Sequence, residues 1–427
     1  MRIRSLVAPA LLFAAACTRP SPSPVSVTAA PITSGSAAAP VTSPVTAPVA
    51  VSSDAATASN AFASDLHGRL SKTPGNLFYS PASIALAVGM AREGARGKTA
   101  TEMDTVLHLT GKTPGVLGTL SGIAAGSGDG VSAPEVRVAN KLWVDGSMKL
   151  DPGYAALTKS AYAASADNVD FHGAPDPTRL LINAWVATQT KDKIKDLLPQ
   201  GSVTQDTRLA ITNAIYFKGT WKAKFDPKQT APAPFFVSAS SSHDVPMMHE
   251  STDVHFGEVD GAQVFELGYA GPADKPGMSM VVILPKDRAG LPAIEDSVAH
   301  KGFAPFVSAM NRTDKSEVWL PKMKMTVSFA LADTLKTMGM PTAFSDSADF
   351  SGMTAGGGLK ISHVIHKAFV EVDEKGTEAA AATAVLMTTE SVHVPPSFRA
   401  DHPFLFLIKD DKTGAIVFVG RCSDPSA

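Results

Sequence analysis

EVDEKGTEAAAATAV, residues Glu371–Val385, decides how this 427-residue chain is read. It overlaps the end of ISHVIHKAFVEV (Ile361–Val372), passes through Gly376, and runs into small residues before a polar loop. Two readings compete on the window itself. Glu378 and Ala379–Ala382 are strong helix formers, so propensity alone makes it a helix. The residues before it alternate like a strand. Ile361, His363, Ile365, Lys367, Phe369, Glu371 and Asp373 share one face; Ser362, Val364, His366, Ala368, Val370 and Val372 share the other. A strand that continues into small side chains can slide between two other strands at little steric cost. On that reading the stretch is a mechanical device, because it carries no catalytic group.

Working outward, Phe62, Leu66 and Leu70 recur every four residues and predict an amphipathic first helix. Ser80-Pro81 predicts a capped helix start, with the helix ending near Gly94–Gly97. Thr99 and Glu102 have capping-box spacing for the next helix. Asp176-Pro177 opens another, carrying Leu180, Leu181, Asn183, Trp185 and Val186. Val136–Val144, Leu209–Phe217, Met278–Leu284, Glu317–Val327, Lys360–Val372 and Phe404–Ile408 read as strands. Helices cluster early and strands late, which predicts an α+β fold with large, mainly antiparallel sheets.

At 44% hydrophobic and 18% charged residues, the chain can bury a sizeable core. A formal net charge of -2 gives no basis for nucleic-acid binding. The N-terminus reads as an export signal, residues 1–16: Arg2 and Arg4 precede an apolar stretch too short to span a bilayer. Ala14-Ala15-Ala16-Cys17 resembles a bacterial lipobox, so Cys17 is either a lipidation site or the incidental first residue after ordinary cleavage. The chain is therefore expected to be exported, as an envelope lipoprotein or a secreted protein. Residues 17–53 are rich in Pro, Ala, Ser and Thr and form a linker, which could span on the order of 100 Å when extended. Cys17 and Cys422 lie in unrelated contexts, so neither a disulfide framework nor a zinc site is expected.

Enzymatic signatures are missing. The chain has no Gly-x-Ser-x-Gly elbow and no glycine-rich phosphate loop. Lys412-Thr413-Gly414 stands without the Ser-x-x-Lys that would accompany it in a β-lactamase. His363 and His366 would point to opposite faces of a strand, which makes them poor joint metal ligands. His243, His249 and His255 fall in a region read as turns and short strands, as scattered surface histidines.

Four blocks in order resemble the serpins, the serine protease inhibitor family. They are NLFYSPASIALAVGMAREGARGKTATEM (Asn76–Met103), NAIYFKGTWKAKFD (Asn213–Asp226), the hinge-like EVDEKGTEAAAATAV, and FRADHPFLFLI (Phe398–Ile408). The resemblance covers about residues 54–427. It implies a serpin fold, with N-terminal helices packed on large sheets and an exposed reactive loop. It also implies a monomer that needs no cofactor, is not an enzyme, and touches a membrane only through a lipid anchor. The region after the first helical block, TATEMDTVLHLTGKTPG, is not basic, so no polyanion cofactor is expected.

The resemblance further implies a suicide substrate for serine proteases, with cysteine proteases a second target class. Cleavage of the loop would be followed by insertion of its N-terminal arm into the main sheet, trapping the acyl-enzyme. Glu374 would start the mobile arm, and Gly376 would be its flexible glycine. Thr377, Ala379, Ala381 and Thr383 would face the core after insertion. All four are small and uncharged, whereas non-inhibitory members often carry bulky, charged or proline residues there. Trp221 and the pair Lys322–Glu374 match the breach, where the sheet first opens. Ser80, Ser83, Asn213 and His366 match the shutter, the hydrogen-bonded cluster beneath the centre of the sheet.

The scissile bond has two candidates. Counting forward from the hinge gives Glu390–Ser391, and counting back from His402–Phe404 gives Val392–His393. The forward count governs insertion length and favours Glu390–Ser391, which suits Glu-specific or subtilisin-like proteases. Met387, Thr388, Thr389 and Val392 remain candidates, and Thr389 or Val392 would suit elastase-like enzymes. A non-inhibitory binding or carrier protein is the alternative function.

Overall fold

The computed structural model describes residues 50–125, 128–271, 277–377 and 396–427, with the side chains of 125 and 312–314 excepted. In chain order the helices are α1 (Ser53–Leu70), α2 (Pro81–Gly94), α3 (Gly97–Val106), α4 (Ser121–Ala125), α5 (Pro152–Tyr162), α6 (Pro175–Gln189), α7 (Leu291–Lys301), α8 (Ala304–Ser308) and α9 (Ala332–Met338). The strands are β1 (Leu77–Tyr79), β2 (Glu135–Asp145), β3 (Ser165–Val169), β4 (Leu209–Thr220), β5 (Ala231–Ser238), β6 (Ser241–Val259), β7 (Ala262–Gly268), β8 (Met278–Pro285), β9 (Asn311–Pro321), β10 (Met323–Ala330), β11 (Ile361–Asp373), β12 (Gly376–Thr377), β13 (Ser397–Arg399), β14 (Phe404–Asp410) and β15 (Ile416–Cys422).

Among the described residues these strands form two sheets. A nine-stranded sheet runs β1-β15-β14-β8-β7-β6-β9-β13, with β5 also paired to β6. A six-stranded sheet runs β10-β11-β12-β4-β2-β3, and β11 and β4 also pair directly. Ala368, Val370, Val372, Ile215 and Phe217 of the smaller sheet pack against Phe265, Met280, Val282, Phe404 and Phe406 of the larger. A second core joins the sheets to the N-terminal helices, with Phe62, Leu66, Ile84, Val88 and Met90 among its members. On the outer face, Ile182 and Val186 of α6 cover Ala210, Ala214, Tyr216, Ile365 and Phe369.

Most of these elements follow from local chemistry. Ser80 caps α2 by accepting a hydrogen bond from Ser83 N–H (3.1 Å), and Pro81 sits in the first turn, where its missing N–H costs nothing. The even residues of β11 from Val364 to Val372 are buried between the layers. On α6, Asn183 and Val186 turn inward, while Leu180 and Leu181 lie on the solvent side at 53% and 55% exposure.

Four readings of the sequence are corrected. Glu317–Val327 is two strands, β9 and β10, in different sheets. Pro321 ends the first because it has no N–H for the ladder. The next residue, Lys322, donates its N–H to Pro246 O (2.9 Å) as the chain changes sheet. Thr99 and Glu102 do not form a capping box, since α3 starts at Gly97 without a side-chain cap. Their oxygens serve another segment: Thr99 Oγ1 accepts from Asp349 N–H, and Glu102 accepts from Thr342 N–H and Oγ1. His243, His249 and His255 lie in one long strand, β6, each facing a carboxylate. Finally, α7, α8 and α9 fall among the later strands, so helices are not confined to the first half.

Candidate functional site

The site begins where β11 turns back on itself. Asp373 Oδ1 accepts hydrogen bonds from the N–H groups of Lys375 (2.9 Å) and Gly376 (3.2 Å), which reverses the chain. Burial pushes the Asp373 carboxyl above its ordinary range. Gly376 has φ 144°, and a Cβ there would sit 2.1 Å from Gly219 O, so only glycine fits. The reversal forms β12, two residues long, wedged antiparallel between β11 and β4. Thr377 is opposite Val372 on one side and Gly219 on the other.

Side chains fasten this wedge. Thr377 is fully buried, and its hydroxyl hydrogen-bonds the Tyr269 hydroxyl (2.9 Å). Tyr269 stacks on Trp221 with centroids 4.7 Å apart. Trp221 donates its indole N–H to Asp373 O (3.0 Å) and its backbone N–H to Lys375 O (2.8 Å). Glu374 receives Lys322 Nζ (2.9 Å) and Thr230 Oγ1 (2.9 Å), while its carbonyl accepts Phe225 N–H (3.0 Å). Burial alone would raise the Glu374 carboxyl, but the hydrogen bonds from Lys322, its own backbone and Thr230 outweigh it and hold the group below its ordinary range.

Below the wedge the sheet is closed. There β4 and β11 pair in parallel, from Leu209 opposite Ile361 to Tyr216 opposite Phe369. Parallel pairs are somewhat less stable per residue than antiparallel ones. Among the described residues this seam is the longer of the two parallel pairings in the six-stranded sheet, the other being β2 with the five-residue β3.

A polar cluster crosses the middle of the seam. Asn213 on β4 stands opposite His366 on β11, and His366 Nδ1 is bonded to Asn213 Oδ1. His366 Nε2 accepts Ser80 N–H (3.1 Å), so the ring is neutral and protonated on Nδ1. Complete burial drives its pKa down to about 3. Asn213 Nδ2 donates to Ser83 O (2.8 Å) and Ser83 Oγ (2.6 Å), and also meets Asn140 Oδ1. Ser80 Oγ donates to Val417 O (2.6 Å), tying the cluster to the larger sheet. Every member is buried, so each polar group depends on its neighbours rather than water.

The hinge-like stretch thus ends in a two-residue wedge above a parallel seam that a polar cluster crosses at its centre. Residues 57–425 match the family model described as Serpin (serine protease inhibitor). The chain belongs to the serpin family. Human Serpin B3 is 38% identical over 369 residues, covering 82% of this chain and 94% of that protein. The structure of uncleaved ovalbumin superposes with a TM-score of 0.79 at 31% identity, covering 87% of this chain and all of the other. Human thyroxine-binding globulin, bound to thyroxine, gives 0.77 at 27% identity, covering 87% and 98%.

In this serpin the structure brings Trp221, Lys322, Glu374, Gly376 and Thr377 together at one end of the seam, and Ser80, Ser83, Asn213 and His366 at its middle. Ala379, Ala381 and Thr383, both scissile candidates (Glu390–Ser391 and Val392–His393) and Cys17 lie outside the described residues. The chain is described again from Pro396, and β13 pairs in parallel with β9. Cys422 is a buried free thiol. Sequence reasoning missed Asn140, Tyr269 and Thr230. Asn140 had a signal, since it falls on the inward parity of β2 with Val136, Leu142 and Val144. Thr230 and Tyr269 had none, because only tertiary packing brings them to the hinge.

Proposed function

We propose that this serpin inhibits serine proteases as a suicide substrate. The protease cuts the reactive arm and forms an acyl-enzyme. The arm then enters the seam as a new strand and traps the protease before deacylation. Serpin loop insertion is the reference case of strand addition and of stored strain released on cleavage. The observation that carries the reading is β12: Gly376 and Thr377 already occupy the slot between β4 and β11, antiparallel to both.

Continuing that register supports the rest. Two residues along the arm correspond to two residues back on β4 and β11. Ala379 would then lie between Phe217 and Val370, Ala381 between Ile215 and Ala368, and Thr383 between Asn213 and His366. Each of these neighbours is buried, so small uncharged side chains suit the slot. Full insertion replaces one parallel pairing with two antiparallel ones. Thr383 would bring a hydroxyl to the two polar groups that the opening seam separates.

We take Glu390–Ser391 as the scissile bond, with Val392–His393 as the competitor. Incubation with subtilisin, an elastase and a Glu-specific protease, followed by denaturing electrophoresis, tests the proposal. A covalent complex is expected with at least one of them, and mass spectrometry of the released peptide identifies the bond. Cleavage by all three without any complex would overturn the inhibitory reading. That outcome would favour a binding protein, the alternative that the likeness to thyroxine-binding globulin keeps in view.

A further inference from the structure

The reactive arm has two roots, and a chain of side chains connects them. At the hinge root, Thr230 Oγ1 holds Glu374. The residue before it, Gln229, presents Oε1 to His249 Nδ1 (2.9 Å). The other ring nitrogen of His249 meets Glu317 Oε2 at 2.6 Å. Glu317 carries the return root: its N–H binds Pro396 O (2.9 Å), and Ser397 of β13 is its partner across the ladder. A second connection runs through Trp319. The His249 ring stacks on it at 4.5 Å, Arg399 of β13 lies 5.4 Å from the same ring, and Trp319 O accepts Ala400 N–H (3.0 Å). Next to His249 on β6, the half-buried Glu250 carboxylate accepts the N–H of Asp226, which steadies the turn bearing Gln229 and Thr230.

We propose that His249 is a positioning residue that ties the two roots together, holding the return strand on β9 while the hinge stands ready to open the seam. The inference rests on the inhibitory reading above for its biological meaning, but not for its test. An uncut arm is fixed at both ends, so it can fill the seam only if the return root lets go. That root is short: β13 is three residues at the edge of its sheet, laddered among the described residues on one side only. The side chains beneath it therefore decide how long it stays. With both nitrogens facing oxygens, His249 grips Glu317 and Gln229 at once, and its stacked ring fixes the tryptophan that carries Arg399.

Hydrogen exchange of the intact protein, read by mass spectrometry, tests the tie. In His249→Ala the peptides covering 374–377 and 396–400 should both exchange about tenfold faster, the loss of one charge-assisted hydrogen bond. Peptides of β14 and β15 should not change. His249→Gln keeps a donor and should restore the 396–400 peptide. Glu317→Gln keeps the acceptor without its charge and should show a smaller rise at both roots. A rise at one root alone, at neither, or uniformly across the protein overturns the proposal. As a functional readout, His249→Ala stored at 37 °C should lose inhibitory activity about tenfold faster than wild type with its chain uncut. If wild type inhibits no protease, the functional reading fails while the exchange result still decides the tie.

Discussion

The two sheets are built on different terms. In the nine-stranded sheet, β8, β14 and β15 are antiparallel neighbours whose facing residues are almost wholly apolar and buried. Nothing there asks to move. The six-stranded sheet puts a parallel pairing at its centre, an asparagine and a histidine across that pairing, and a two-residue wedge at its end. A polar seam is a poor way to maximise stability and a good way to mark one line of separation. On the proposed mechanism the smaller sheet is the part that opens, and the larger one is the frame.

The largest test of this contrast is to cut the arm. Once nicked in the reactive loop, the protein should melt more than about 10 °C above the intact form, because a new central strand completes the smaller sheet. Differential scanning calorimetry measures it. Hydrogen exchange should slow along β4 and β11 and stay unchanged along β14 and β15. A nicked protein that melts no hotter would mean the smaller sheet is as settled as the larger.

The second test blocks the slot. Thr377 has no exposed surface and spends its hydroxyl on Tyr269. Thr377→Arg would bury an unpaired charge, at about 3–5 kcal/mol. Insertion then becomes slower than deacylation, and the variant should be cleaved as a substrate with at least about a hundredfold loss of complex per cleavage event. Retained inhibition would show that insertion does not pass through this slot. Thr377→Ser keeps the hydroxyl and should behave like wild type.

How far the sequence foretold this contrast depends on distance along the chain. Alternation in Ile361–Val372 marked β11, because that signal is local, and Ser80-Pro81 marked the start of α2 for the same reason. Gly376 and Thr377 took their roles only from the family resemblance, and the two-residue strand they form was not foreseen. The break at Lys322 was missed although the run changes parity there: the buried apolar residues are even before Pro321 (Val318, Leu320) and odd after it (Met323, Met325), as two strands in different sheets require. Thr99 and Glu102 show the converse, a correct local pattern spent on partners about 240 residues away. Tyr269 and Thr230 reach the hinge from β7's end and from the turn before β5, places no periodicity points to. Family resemblance supplied the roles of Asn213 and His366, which spacing alone could not have joined across 153 residues.

Acid should weaken the middle of the seam through His366. The folded state holds His366 at about 3, and the unfolded chain returns it to its ordinary value of 6.5. A depressed folded pKa means the stabilising contribution is complete above pH 6.5 and is lost as pH falls from there toward 3. Each such histidine costs about 1.4 kcal/mol per pH unit across that window. His67, also buried and held at about 3, adds an equal slope from the helical side. His363 is also held below its ordinary value by burial, so urea midpoints of His366→Gln should fall with pH between 6 and 4 less steeply than those of wild type, but not stay flat. An unaltered slope would place the acid sensitivity elsewhere than His366.

The smallest effect sits at the wedge's outer edge. Glu374 is mostly buried but Lys322 is 39% exposed, so solvent weakens their pair and Lys322→Ala should cost only about 1–2 kcal/mol. The sign of its pH dependence separates it from the histidine term. The Glu374 carboxyl is held below its ordinary 4.5, so its contribution is intact above that value and disappears as pH falls through the lowered folded pKa. Stability of wild type and Lys322→Ala should differ by a constant amount from pH 7 to pH 5 and converge below about 4. Convergence already at pH 6 would implicate His366 instead, and would move the first point of opening from the wedge to the middle of the seam.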